Sequence, residues 1–259
     1  MDLVRRIYPA APAVFIDTGL EYPEIRAFAL SQENVIRIKP DMNFKEVIQH
    51  YGYPVISKEQ SAFIHEYRTT NSEKLRNTRW NGNKYGRGKI SKKWRYMVDA
   101  PFEISDMCCD VMKKHPAEKY EGKSGQKPII ATMACESQLR KSKWLRQGCN
   151  AFDSKRPMSN PMSFWTGQDV LEYIRRYNIP YCSVYGDILE SPDGKLYTTG
   201  CDRTGCVFCA NGVHLQKEPN KFQMLKKTHP ALWDYCMRDQ ADGGLGMREV
   251  LEAINVPIE

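Results

Sequence analysis

The sequence predicts an α/β protein with a parallel sheet and a helical, cysteine-rich region towards its C-terminal end. Strand and helix patterns alternate between Ala13 and His50, and one apolar run ends directly in Asp17-Thr-Gly19. Three cysteines lie within nine residues, 201–209. Alternating strands and helices favour right-handed crossovers, with ligand sites at the carboxyl ends of the strands.

The first part of the chain supplies the alternation. Residues 2–8 are typical of the end of a helix, and the apolar run 13–16 predicts a strand because Asp, Thr and Gly follow at once. Pro23 suits the first turn of a helix at 22–29. A strand at 35–38 and a helix at 43–50 repeat the order. Asp17, Thr18 and Gly19 therefore stand where ligands bind in such sheets.

The second part continues the pattern and then becomes helical. A strand predicted at 128–133 precedes a group of polar side chains, Glu136, Ser137, Arg140 and Lys143. Thr166 and Asp169 have capping-box spacing ahead of a helix at 170–177. Further helices are predicted at 222–227, 231–238 and 247–254. We expect a nucleotide-binding-like α/β domain over 1–160 and a helical region with the cysteine loop over 161–259.

Composition excludes several classes of protein. With 259 residues, 41% hydrophobic and 27% charged, the chain can bury a full core and is not of disordered composition. The nine cysteines lack the spacing of a secreted disulfide scaffold, and we see neither a signal peptide nor an apolar run long enough to cross a bilayer. We expect a cytoplasmic protein whose thiols are reduced or metal-bound.

The cysteines form the strongest chemical pattern. Cys206 and Cys209 make a C-x-x-C loop that can aim both sulfurs at one ion or cluster, with Cys201 nearby. The consecutive pair Cys108-Cys109 is the natural source of further ligands. The alternative is that these cysteines pack as small hydrophobic residues. We expect that role for Cys236.

A basic and aromatic segment accounts for the net charge of +7. From Glu66 to Tyr96 there are ten Lys or Arg against two Glu, interleaved with Tyr and Trp. Such a mixture suits phosphates and stacked bases, so the segment predicts a polyanionic partner such as tRNA or DNA, or a nucleotide. A solvated basic surface is the alternative. The residues chosen for nucleic-acid contact are Arg76, Arg79, Lys92 and Lys93.

Taken together, these motifs resemble the phosphoadenosine phosphosulfate (PAPS) reductase family. The resemblance covers essentially the whole chain and is most specific at residues 15–23, 149–157 and the cysteine loop. It implies the adenine nucleotide α-hydrolase-like (PP-loop) fold and a substrate that carries an adenosine nucleotide, such as an adenylylated sulfate. The implied nucleotide-binding or substrate-binding residues are Asp17, Thr18, Gly19, Glu136, Ser137, Arg140 and Lys143.

The adenylylsulfate-reducing branch of this family is similar in its C-C and C-x-x-C pairs, which there hold a [4Fe-4S] cluster. The resemblance implies the ligands Cys108, Cys109, Cys206 and Cys209. Neighbouring helical residues point about 100° apart, so the vicinal pair can reach one cluster only at a helix end or bend. Cys201 and Cys149 are the reserve ligands. In a loop-only arrangement with them, zinc would compete.

Two family motifs are missing from the sequence. The Ser-Gly-Gly-Lys-Asp-Ser phosphate loop is absent, so we expect an upstream segment or a partner chain to supply it. The C-terminal Glu-Cys-Gly-x-His motif is absent too, and with it the usual nucleophile. Nothing around Cys236 or Cys149 indicates a lowered thiol pKa, so the catalytic residues stay unassigned.

Three functions follow from these patterns. The first is a PAPS reductase-like or sulfur-transfer enzyme that acts on an adenylylated sulfur compound. The second is nucleic-acid-directed sulfur transfer or binding through residues 66–96. The third is an inactive fragment of the family.

Overall fold

A computed structural model describes residues 1–201 and 203–259 of the chain. The α-helices are α1 (Asp2–Arg5), α2 (Pro23–Leu30), α3 (Phe44–Tyr51), α4 (Lys58–Thr69), α5 (Glu73–Asn81), α6 (His115–Ser124), α7 (Gln138–Gln147), α8 (Gly167–Tyr177), α9 (Lys221–Thr228), α10 (Pro230–Met237) and α11 (Met247–Ala253). The strands are β1 (Ala13–Ile16), β2 (Val35–Ile38), β3 (Val55–Ile56), β4 (Asn150–Ala151), β5 (Met158–Ser159), β6 (Ile188–Glu190), β7 (Leu196–Thr198) and β8 (Ala210–Asn211). Among the described residues, no helix is long and apolar enough to cross a membrane.

The helices predicted from the sequence are confirmed to within a few residues at each end. Thr166 and Asp169 form the predicted capping box at the start of α8. Asn43 with Glu46, and Asn220 with Gln223, form two more boxes at α3 and α9. Each box pairs backbone N–H groups that a helix start would otherwise leave without partners.

The strands are short and pair two by two. Within 1–201 and 203–259 there are four two-stranded sheets, β1-β2, β3-β8, β4-β5 and β6-β7. The β3-β8 pair is parallel, with Val55 opposite Ala210, whereas β4-β5 and β6-β7 are antiparallel. The α/β class is confirmed, but the expectation of one continuous parallel sheet is wrong for the described residues.

The strand predicted at 128–133 is also wrong. Only an isolated bridge forms there, between Ile129 and Ser159. Its bonds run from Ile130 N to Ser159 O at 2.8 Å and from Ser159 N to Pro128 O at 3.0 Å. The partner strand β5 ends at Ser159, and Pro161, two residues on, has no N–H to extend a ladder.

The chain forms two compact units. Unit 1 comprises Met1–Phe15, Tyr22–Ile38 and Ala117–Thr204, and unit 2 comprises Ile16–Glu21, Lys39–Pro116 and Gly205–Glu259. The largest fully buried side chains of the described chain lie in unit 2, including Phe222, Ile64, Ile90, Met97, Met112 and Leu251. Unit 2 therefore has a closed apolar core.

Candidate functional site

The vicinal cysteines lie where a helix begins. Cys108 and Cys109 form its first turn, which widens into a π-helical turn at Asp110–Lys114 and continues as α6. Cys108 is buried and Cys109 is half-buried, with 4.0 Å between their sulfurs. The position at a helix end, next to a π turn, meets the condition that lets both thiols face one group.

The C-x-x-C loop is held by the two residues inside it. Val207 and Phe208 are buried, and the Phe208 ring lies 6.3 Å from the Phe44 ring. The Cys209 N–H donates to the Cys206 carbonyl at 3.2 Å, which closes the turn. The loop then enters β8, which pairs with β3. Packing of the inner residues therefore fixes the two flanking thiols.

The Asp-Thr-Gly turn is bonded to this cysteine loop. The Val207 N–H donates to the carbonyl of Leu20 at 2.7 Å, immediately after Gly19. Asp17 and Thr18 are buried, and the Thr18 hydroxyl donates to Glu21 at 2.7 Å. Unit 2 thus brings together two motifs that lie far apart in the sequence.

The four predicted ligands influence one another electrostatically. The hydrogen bond to Cys109, burial, and the charges of the Cys109, Cys209 and Cys206 thiols together raise the pKa of Cys108. The hydrogen bond from Cys108, followed by one from Lys58, lowers the pKa of Cys109 to about 5. Of the vicinal pair, Cys109 therefore loses its proton more readily than Cys108, and Cys108 lies within electrostatic reach of the C-x-x-C loop.

Three lysines surround the thiols. Burial alone would lower the pKa of Lys58, but its hydrogen bond to Cys109 raises it overall. Burial acts in the same direction on Lys113, but the Cys206 thiol and Glu21 raise the pKa of Lys113. Lys221 Nζ donates to the Cys206 carbonyl at 3.0 Å, and burial lowers the pKa of Lys221. Cationic side chains thus meet the site from three separate elements.

A strained residue places Lys58 at this site. Ile56 has a φ of 62°, in the left-handed region that β-branched residues avoid. The Gly212 N–H donates to its carbonyl at 2.8 Å, and β3-β8 pairing fixes its backbone. Ser57 then caps α4, which begins at Lys58. The surrounding hydrogen bonds keep Ile56 in this unfavourable conformation. The turn that it makes there lets α4 begin at Lys58.

The predicted ligands and substrate residues divide between the two units. Within 1–201 and 203–259, no group of three or more Cys, His, Asp or Glu side chains is arranged to hold a single metal ion. Cys108, Cys109, Cys206, Cys209 and residues 17–19 belong to unit 2, and the reserve ligands Cys149 and Cys201 belong to unit 1.

Glu136, Ser137, Arg140 and Lys143 also belong to unit 1. Ser137 caps α7, accepting from the Arg140 N–H at 3.2 Å, and Arg140 is ion-paired with Glu136. These four side chains are exposed to solvent. They follow the 128–133 segment, as the sequence predicts, but on an exposed helix.

The residues chosen for nucleic-acid contact differ in their surroundings. Arg79 is ion-paired with Glu66, donates to the Gly88 carbonyl at 2.8 Å, and lies 4.2 Å above the Phe63 ring. Arg76 donates to the Thr70 carbonyl at 2.6 Å. The side chains of Lys92 and Lys93 are exposed.

Sequence reasoning missed the three lysines. Lys113 follows Cys109 by four residues, and helical spacing could have found it. Lys58 and Lys221 lie far from any cysteine in the sequence, so no local signal marks them. Burial raises the pKa of Cys236 to about 12, and the side chain is fully buried, which agrees with the packing role expected for it.

Comparison with protein families finds a match for this chain. The phosphoadenosine phosphosulfate reductase domain matches residues 66–211, more than half of the chain. A search of curated proteins finds no match. The matched range contains Cys108, Cys109, Cys206 and Cys209 together with Glu136 to Lys143. The chain therefore belongs to the phosphoadenosine phosphosulfate reductase family.

Proposed function

We propose that this protein is a sulfonucleotide reductase-like protein that holds a [4Fe-4S] cluster on Cys108, Cys109, Cys206 and Cys209. The observation that carries the proposal is the arrangement of these thiols within unit 2: the sulfurs of the vicinal pair lie 4.0 Å apart at a helix start, and Lys113 of the same helix hydrogen-bonds Cys206 of the C-x-x-C loop. Its substrate would be an adenosine-bearing sulfur compound, such as an adenylylated sulfate.

The chemistry of the donor set fits such a cluster. Four cysteine thiolates are the usual ligands of a [4Fe-4S] core. Each of them binds a different iron, so the four sulfurs need not converge on one point as the ligands of a single ion do. The ligated cluster carries net negative charge, and Lys58, Lys113 and Lys221 offer the balancing positive charge.

The substrate side of the proposal has two separate parts, the Asp-Thr-Gly turn in unit 2 and α7 in unit 1. The bond from Val207 to Leu20 places the turn beside the cysteine loop, and Lys58 and Lys113 supply positive charge there. Arg140 and Lys143 supply charge-assisted donors for phosphate or sulfate oxygens. In this scheme Arg140 exchanges its ion pair with Glu136 for the substrate anion.

When bound, the cluster would be structural or would tune the electrostatics around a bound anion. The chain's own residues hold that anion and orient it. We assign no catalytic nucleophile, because the neutral, buried Cys236 thiol is unsuited to attack on sulfur.

Metal analysis tests the cluster. Anaerobically purified protein should contain about four irons and four acid-labile sulfides per chain. Cys206→Ala and Cys209→Ala should lose both, whereas Cys236→Ala, which removes a thiol from the packed core, should keep them. Stoichiometric zinc, or wild-type protein without metal, would contradict the proposal. If zinc is found, its loss in Cys201→Ala or Cys149→Ala would identify the alternative loop site.

Nucleotide binding is tested separately by calorimetry with adenylylsulfate. Arg140→Ala should weaken binding by about tenfold or more, since a hydrogen bond between charged groups is lost. Arg146→Ala is the matched control on the same helix, because Arg146 is exposed and its guanidinium donates to the Ser142 carbonyl one turn earlier, at 3.2 Å. Equal affinity for the two variants would remove Arg140 from the site.

A further inference from the structure

The basic segment contains two kinds of cation. From residue 74 to residue 98 the sequence has no Asp or Glu. Arg79 and Arg95 are nevertheless used inside the protein: Arg79 pairs with Glu66, and Arg95 lies 4.3 Å above the Trp80 ring and bonds the Trp80 carbonyl. These two arginines hold the segment together and are not available to a partner.

The second kind of cation lies on or next to an ordered loop at residues 82–87. Asn83 Oδ1 accepts from the Tyr85 N–H at 2.9 Å and from the Arg87 N–H at 3.1 Å. Gly82 has a φ of 93°, and a Cβ there would lie 2.9 Å from the carbonyl carbon of Gly86. The backbone of the loop therefore has a defined shape without a ligand.

The outward side chains combine charge with an aromatic ring. Tyr85 is 72% exposed, and Lys84, Arg87, Lys92 and Lys93 are exposed as well. Among the described residues, no carboxylate is ion-paired with any of these four cations. Lys84 Nζ lies 5.0 Å from the centre of the Tyr85 ring, and Lys93 Nζ lies 4.7 Å from that of the Trp94 ring, while both lysines stay exposed. An exposed aromatic ring beside cations that have no carboxylate partner indicates a contact surface for a polyanion.

We propose that the surface formed by Lys84, Tyr85, Arg87, Lys92 and Lys93 binds single-stranded nucleic acid. The four cations neutralise successive phosphates, and the tyrosine ring stacks on an unpaired base. A nucleotide substrate is a poorer fit, because small ligands bind in concave sites that bury most of their surface, whereas Tyr85 stands out from a loop. Binding at this surface does not depend on the cluster.

The test uses the full chain and fluorescence anisotropy with labelled single-stranded homopolymers of deoxythymidine and of uridine, over a range of salt concentrations. The charge variant carries Lys84→Gln, Arg87→Gln, Lys92→Gln and Lys93→Gln. Its matched control removes equal charge from exposed positions elsewhere, with Lys123→Gln, Lys127→Gln, Lys217→Gln and Lys227→Gln. A third variant, Tyr85→Ala, removes the ring alone.

We expect the charge variant to reduce the slope of log affinity against log salt by roughly 3. The control variant should keep most of that slope. Tyr85→Ala should weaken binding by about fivefold or more at every salt concentration, with an unchanged slope, because stacking releases no counterions. Binding to either homopolymer supports the proposal.

Two results would overturn the proposal. The first is an equal loss of binding in the charge variant and its control, which would mean attraction by net charge alone. The second is equal affinity for duplex and single strands together with no effect of Tyr85→Ala. Retained thermal unfolding midpoints would show that each variant is folded.

Discussion

Units 1 and 2 bury their apolar side chains to very different extents. In unit 2, Phe222, Ile64 and Ile90 have no exposed surface. In unit 1, Leu139 and Leu145 of α7 are 77% and 69% exposed. The thiols and their lysines belong to the closed unit, whereas the predicted phosphate-binding residues of α7 belong to the open one.

This difference shows that the two sets of proposed binding residues, one in each unit, differ in how far the fold orders them before a ligand binds. In unit 2, packing and hydrogen bonds fix the thiols before any ligand arrives. In unit 1, Arg140 and Lys143 stand on a helix whose side chains are mostly in water, so a bound anion must order them and pay their rotamer entropy. Substitutions in the core should therefore disturb the metal site. The order of the α7 side chains should instead change mainly when a ligand binds.

The largest expected effect is a difference in stability loss when an apolar side chain is removed from each unit. Phe222→Ala in unit 2 should lower the free energy of unfolding by about 3–5 kcal/mol, because a fully buried ring is lost. Leu145→Ala in unit 1 should change it by no more than about 0.5 kcal/mol. Urea denaturation of both variants measures the difference. Similar costs would show that α7 is packed in solution.

A smaller effect separates two arginines. Arg79→Ala in unit 2 should cost about 1–3 kcal/mol, because it leaves Glu66 and the Gly88 carbonyl without their donor. Arg146→Ala in unit 1 should be within about 0.5 kcal/mol of wild type. Thermal unfolding followed by circular dichroism compares them. If both variants lose equally little stability, the contacts of Arg79 do not stabilise the fold, and Arg79 would be available to a partner like the other surface cations.

Helix capping gives a third comparison. Ser57→Ala removes the cap of α4 and should lower the stability of unit 2 by about 1 kcal/mol. Ser137→Ala removes the cap of α7 and should instead speed amide exchange in α7, with little change in the unfolding midpoint. Hydrogen exchange by mass spectrometry reads both. Uniformly faster exchange in Ser137→Ala would contradict a loosely packed α7.

The smallest effect concerns tuning of the proposed cluster. Lys221→Met removes a positive charge next to the C-x-x-C loop, so reduction of the cluster should become harder and its midpoint potential more negative. Lys143→Met, on exposed α7, should leave the potential unchanged. A redox titration followed by electron paramagnetic resonance compares the two variants. Identical shifts would mean that Lys221 does not act on the cluster.

Local patterns predicted the local structure well. The capping spacing of Thr166 and Asp169 and the prolines at helix starts gave helices that the structure confirms, because these signals act within one turn. The strand at 128–133 failed because pairing depends on a distant partner, and β5 with its following Pro161 allows only a bridge. The prediction of a single sheet failed for the same reason, because it too depended on pairing between strands far apart in the sequence.

The sequence by itself determined the α/β class, the family and the thiols with ligand spacing, because these depend on residue type and short separations along the chain. Only the tertiary structure decided which cations lie at the cysteine site, which stabilise the fold and which stay exposed at the surface. Lys58 and Lys221 reach the cysteine site through long-range packing, Arg79 is held inside by Glu66, and Lys84 and Arg87 are left at the surface. Side chains of the same charge either stabilise the fold or stay available to a binding partner. Their burial and their contacts decide which, and both are properties of the folded chain.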